Sequence, residues 1–131
     1  MKSLIRRVLP LSALCLLAGP LMAQQQGVSK TEIVIGSIQD FSGPLAGYGK
    51  QARNGMMLRA DELNEQGGVH GRRIVLKFED SGYDPKRAVL AAQKLVNQDK
   101  IFLMAGHVGT AHNLAAMPVQ FERGVINFWP L

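Results

Sequence analysis

Apolar residues fall in two rhythms along this chain. Glu32-Ile-Val-Ile-Gly-Ser-Ile38, Arg73-Ile-Val-Leu-Lys-Phe-Glu79, Ile101-Phe-Leu-Met-Ala105 and Val125-Ile-Asn-Phe128 are short runs rich in β-branched and aromatic residues, with the length and composition of strands. The first reads as buried on both faces, the second as alternating. Between them the spacing changes. Ala52, Met56, Ala60 and Leu63 recur at helical intervals from about Tyr48 to Gln66, and Val89, Ala92 and Val96 share one face of Lys86 to Gln98. A third helix is expected over Ala111 to Arg123, kinked at Pro118.

The punctuation agrees with these elements. Gly67-Gly68 stops the first helix, Asp84-Pro85 opens the second with Asp at the N-cap, and Gly124 ends the third. The order β-α-β-α-β-α-β predicts an α/β fold, a doubly wound and mostly parallel sheet with flanking helices. Three helices and a partial fourth strand would leave apolar sheet surface uncovered, so the expectation is the first part of a longer protein.

The start of the chain follows neither rhythm. Lys2, Arg6 and Arg7 precede an apolar run from Val8 to Ala18, followed by Gly19, Pro20 and Ala23. That is the layout of a secretory signal peptide over residues 1–23, leaving 24–131 as the mature domain. The run is too short, and broken too soon by Pro20, for a membrane span. Cys15 follows Leu14 where a lipid-anchoring motif needs a small residue, so it reads as an ordinary apolar residue of the leader.

Charge changes meaning once the leader is set aside. The whole chain carries 15 Lys+Arg, 10 Asp+Glu and a net charge of +5; losing three leader cations leaves 12 against 10, or +2. The basic balance therefore belongs largely to the leader and makes no case for nucleic acid. The mature stretch has no cysteine, so an exported domain here rests on its core rather than on disulfides.

The chemistry-bearing motifs are sparse. Neither Gly36 nor Gly43 starts the G-x-G-x-x-G spacing of a dinucleotide loop, and no Gly-Lys-Ser/Thr of a P-loop occurs. His107 and His112 bracket the turn after the third strand, but without a nearby Cys or carboxylate they do not form a metal set; His107 is expected to pack within the turn. Glu79-Asp80 reads as a solvated turn and Asp84 as a helix cap. No cofactor is implied.

The turn Gly106-His-Val-Gly-Thr110 carries the strongest site signal. It joins a buried strand to a helix at the end of the sheet where open α/β folds bind ligands. A helix N-terminus there presents unpaired N–H groups to an anionic group such as a carboxylate. Tyr48, between Gly47 and Gly49 beyond the first strand, borders the same crevice if the first and third strands are neighbours. An ordinary βα turn and a Tyr packed on its own helix start are the plain alternatives.

Four motifs in order carry a resemblance. They are Ile33-Val-Ile-Gly36 with Phe41-Ser-Gly-Pro-Leu-Ala-Gly-Tyr-Gly49, Gly67-Gly-Val-His-Gly-Arg72, Asp80 with Asp84-Pro-Lys86, and Gly106 with Gly109-Thr110. From Glu32 to Leu131 the chain resembles periplasmic solute-binding proteins of ABC importers, of the branched-chain amino-acid-binding type.

The resemblance implies the first part of the N-terminal lobe of a two-lobed receptor that closes on a small amino acid, amide or carboxylate. It implies a periplasmic location, a permease partner in the membrane, a monomeric full-length parent and no catalysis. It also implies ligand-binding roles for Tyr48, Val108, Gly109, Thr110 and Ala111, with Gly109 and Thr110 meeting the ligand's carboxylate. Two rivals stand beside it. One is the ligand-sensing half of a receptor with the same fold; the other is an exported α/β enzyme, for which Asp40 is the candidate acid or nucleophile.

Overall fold

The computed structural model describes residues 25–131. The leader and its cleavage after Ala23 lie outside the described residues. Seven elements follow in the expected order: β1 Glu32–Gln39, α1 Ala46–Glu65, β2 Arg73–Asp80, α2 Pro85–Asn97, β3 Leu103–Ala105, α3 Thr110–Phe121 and β4 Ile126–Phe128. The strands lie in the order β2-β1-β3-β4, every pairing parallel. Glu32 pairs with Arg73 and Gln39 with Asp80 on one side of β1, while Ile35 pairs with Leu103 on the other. The chain thus winds outward from β1 in both directions, and its switch point lies between β1 and β3.

Local chemistry sets the ends of the helices. Asp84 accepts from the Arg87 N–H at 2.8 Å with Pro85 as the first helical residue, as the sequence predicts. At the far end of α1, Gly68 N–H reaches Leu63 O and Gly67 N–H reaches Asn64 O, with both glycines at positive φ. This crossed pair of bonds is the Schellman stop, and Gly124 closes α3 in the same way.

Three expectations change. β3 begins at Leu103 rather than Ile101, because the Ile101 N–H is spent on Leu95 O at the end of α2 and Lys100 sits at a φ of 54°. The chain is still turning there. The burial along β2 does not alternate cleanly; Ile74, Val75 and Leu76 are all half-buried, since the strand is covered from both faces. α3 spans Thr110–Phe121 rather than Ala111 to Arg123, with Pro118 inside it on its exposed side.

The core sits on one face of the sheet. Ile38 and Met104 meet Ala88, Ala92, Leu95 and Val96 of α2 and Ala116 of α3, with Val34 and Val119 against the cluster. Gly36 belongs to this face: a Cβ there would lie 2.6 Å from Ile101 Cδ1, so the glycine lets Ile101 pack against the strand. The other face is covered by α1 along β1 and β2, where Ser37 Oγ lies 3.8 Å from Met56 Sδ. Ile126 and Phe128 of the edge strand β4 remain 63% and 59% exposed.

Candidate functional site

β1 and β3 pair directly, so the loops leaving their carboxyl ends share one edge of the sheet. Two loops at this edge are held by carboxylates. Asp40 is fully buried and accepts from the backbone N–H groups of Ser42 and Leu45, at 3.2 and 2.7 Å, and of Gly43. It staples the β1–α1 loop, which leaves its oxygens committed rather than free for acid or nucleophilic chemistry.

Asp80 is not the solvated turn residue that the sequence suggests. It accepts from Phe41 N–H and Gly82 N–H at 2.8 Å, from Ser42 Oγ at 2.6 Å, and from Arg87 Nη2 at 2.9 Å. Burial pushes this carboxyl upward, but Ser42, the two backbone donors and the Arg87 charge outweigh it and hold the pKa at about 2. The β1–α1 and β2–α2 loops are thereby knotted together at the mouth of the sheet.

The β3–α3 turn hangs between its neighbours. Val108 N–H donates to Ile38 O on the β1 side at 3.0 Å, and Gly109 N–H donates to Leu131 O on the β4 side at 2.8 Å. The Asn113 side-chain amide donates to His107 O and Gly109 O, at 2.7 and 3.0 Å, and its own oxygen is held by Asn127 Nδ2. Asn113 carries the shape of the turn, and nothing in the sequence pattern marks it.

Of the residues expected to meet a ligand, Val108 and Gly109 are buried with their N–H groups bonded to backbone, while Thr110 and Ala111 are exposed at the start of α3. No side chain caps that helix, and among the described residues the N–H groups of Thr110, Ala111 and His112 have no acceptor. Three donors therefore stay open at the positive end of a 12-residue helix, with the Thr110 side chain exposed beside them. Tyr48 sits in the first turn of α1, half exposed at 50%.

Both turn histidines are buried. His107 is wholly buried and His112 is 4% exposed, and among the described residues none of their ring nitrogens has a partner. Burial pushes His107 down to about 4, helped by the neighbouring His112, so His107 is neutral at physiological pH. The ring of His112 lies against Tyr83 of the β2–α2 loop, with centroids 4.3 Å apart. Among the described residues no three His, Cys, Asp or Glu side chains cluster as metal ligands.

Residues 32–130 match the family model described as periplasmic binding protein. The chain is 36% identical over 103 residues to a Leu/Ile/Val-binding protein of Rhizobium johnstonii, covering 79% of this chain and 28% of that one. It is 34% identical to an amino acid binding protein of Pseudomonas aeruginosa, covering 76% and 26%.

Among solved structures, it matches the branched-chain amino acid transporter substrate-binding protein of Streptococcus pneumoniae in complex with isoleucine. There the TM-score is 0.71 and identity 30%, over 74% of this chain and 28% of that one. A fatty acid ABC transporter substrate-binding protein from Thermomonospora curvata matches at TM-score 0.69 and 28% identity, over 78% and 26%. The chain spans about a quarter of the length of the curated relatives it matches.

Proposed function

We propose, from the premise that this chain belongs to the periplasmic binding protein family, that it forms the first part of the N-terminal lobe of a solute receptor. Residues 24–131 would build this lobe after removal of a 1–23 leader. A second lobe would close over a small amino acid or a related amide or carboxylate, and the loaded receptor would deliver it to an ABC permease from the periplasm. The relatives are named as binding proteins for leucine, isoleucine and valine or for amino acids, which supports this solute class.

The observation that carries the reading is the uncapped start of α3 beyond the carboxyl end of β3. Thr110 N–H, Thr110 Oγ and Ala111 N–H would take the solute's carboxylate. Val108 and Gly109, already bonded to backbone, would shape the floor beneath it. Tyr48 would border the solute's apolar side. Desolvated donors of this kind gain most when a closing lobe excludes water.

Truncating Thr110 to Ala in the protein at its full natural length tests the assignment. Affinity for branched-chain amino acids should fall by about 1–3 kcal/mol, while the ligand-free thermal midpoint barely moves, because this exposed hydroxyl supports no core contact. Calorimetry showing unchanged affinity would remove Thr110 from the site.

A further inference from the structure

Asn113 is the fourth residue of α3, buried, at a position where helix propensity favours Ala or Leu. Its side chain spans a soft joint of the turn. Gly109 sits at a φ of 100° and a ψ of 121°, a backbone state open mainly to glycine, so the turn could swing there. Asn113 Nδ2 donates to His107 O at 2.7 Å and to Gly109 O at 3.0 Å. One amide group thereby clamps the peptide 107–108 and the peptide 109–110, with Val108 and Gly109 held between them.

A peptide is planar and trans, so its C=O and N–H point in opposite directions. Whatever holds Gly109 O therefore aims Thr110 N–H, the first open donor of the helix start. The Asn113 backbone N–H also reaches Gly109 O, at 2.8 Å, as an ordinary helical bond. The side chain adds the tie across the joint that a helical bond alone lacks.

We infer that Asn113 is the positioning residue of the carboxylate seat, fixing the peptide that presents Thr110 N–H without itself meeting the solute. The inference rests on the proposed solute-receptor role of the same turn. The surroundings orient the amide. Asn127 Nδ2, on β4, donates to Asn113 Oδ1 at 2.8 Å, which leaves Asn113 Nδ2 turned toward the two carbonyls. Gln39 Nε2, on β1, holds Gly106 O at 2.6 Å, so the start of the turn is fixed separately. Among the described residues no other side chain donates to His107 O or Gly109 O.

A double-mutant cycle in the full-length protein tests this, with L-leucine, L-isoleucine and L-valine as calorimetric probes. Asn113→Ala should weaken binding roughly tenfold or more, although it removes no atom that meets the solute. In that background Thr110→Ala should cost several-fold less than in the wild type, because a misplaced Thr110 has little left to lose. A merely structural Asn113 would lower the thermal midpoint and leave the cost of Thr110→Ala the same in both backgrounds. Should Asn113→Ala fail to fold, the same cycle is run with Asn127→Ala, whose side chain reaches the turn through Asn113.

Wild-type affinity in the folded Asn113 variant, or in the Asn127 variant that replaces it, would overturn the inference alone. So would costs that multiply independently across the cycle. Wild-type binding that Thr110→Ala leaves unchanged would remove the seat, and this inference with it. No binding of any probe by the wild type would remove the solute-receptor reading as a whole.

Discussion

The starts of α2 and α3 lie at the same edge of the sheet, each following a parallel strand, yet they are finished in opposite ways. At α2 the Asp84 carboxylate accepts from Arg87 N–H and Pro85 removes a donor that would otherwise be orphaned. At α3 the N-cap is a glycine, and among the described residues no side chain caps the helix and three N–H groups stay open. A chain that closes one helix so completely has the means to close the other. The contrast separates a helix end closed by its own residues from one that, under the proposed function, would receive a group from outside.

The largest expected effect comes from closing the open end. Gly109→Ala would place its Cβ 2.3 Å from His112 Nδ1 and force an L-residue to a φ of 100°. Solute affinity in the full-length protein should fall more than about a hundredfold, with a stability loss of roughly 1–3 kcal/mol. Affinity and the denaturation midpoint measured on one preparation check both numbers; wild-type behaviour in both would erase the distinction between the two helix starts.

Acid should sharpen the comparison next. The pKa of His107 is lowered to about 4 against an ordinary 6.5, so the unfolded chain binds more protons between those values. Stability should therefore be full above about pH 6.5 and drain away on acidification toward pH 4, by on the order of 2–3 kcal/mol. His107→Gln should flatten urea midpoints across that window. Asp80 acts lower, since its depressed carboxyl stabilises above about pH 4 and loses that contribution only as the pH falls through about 2. The two windows are separable in one series.

The smallest effect belongs to the closed end. Asp84→Ala should lower the denaturation midpoint slightly, as loss of a side-chain cap does, and leave solute affinity unchanged. A change in affinity would mean that α2 also serves the ligand.

Much of this fold can be read from local chemistry alone. The β-branched runs, the Asp84-Pro85 opening and the Gly67-Gly68 stop each act within a few residues, and apart from the late start of β3 each stands where the pattern puts it. What escapes the pattern depends on partners distant in the chain. Asp80 reads as a turn carboxylate until Phe41 and Ser42, 39 and 38 residues away, donate to it. Hydropathy also misjudges α3, whose buried side holds His112, Asn113 and Gln120 while Leu114 and Phe121 are 65% and 58% exposed. The site was legible as a strand-glycine-helix junction, but Asn113 and Tyr83 were not. Their roles come from a turn and a loop that meet only in three dimensions.

The suspension of the β3–α3 turn has a consequence for how fast a solute could be captured. Ile38 O holds Val108 N–H on one side, Leu131 O holds Gly109 N–H on the other, and Asn113 ties the carbonyls between them. Under the proposed solute role, a turn held by these bonds would have little conformational entropy left to lose on contact. Encounter at this wall should proceed at a rate set by diffusion and access, like docking on a fixed anvil. Under the same proposal, any slow step in capture would belong to a second lobe closing toward the turn, with the turn as its stationary reference.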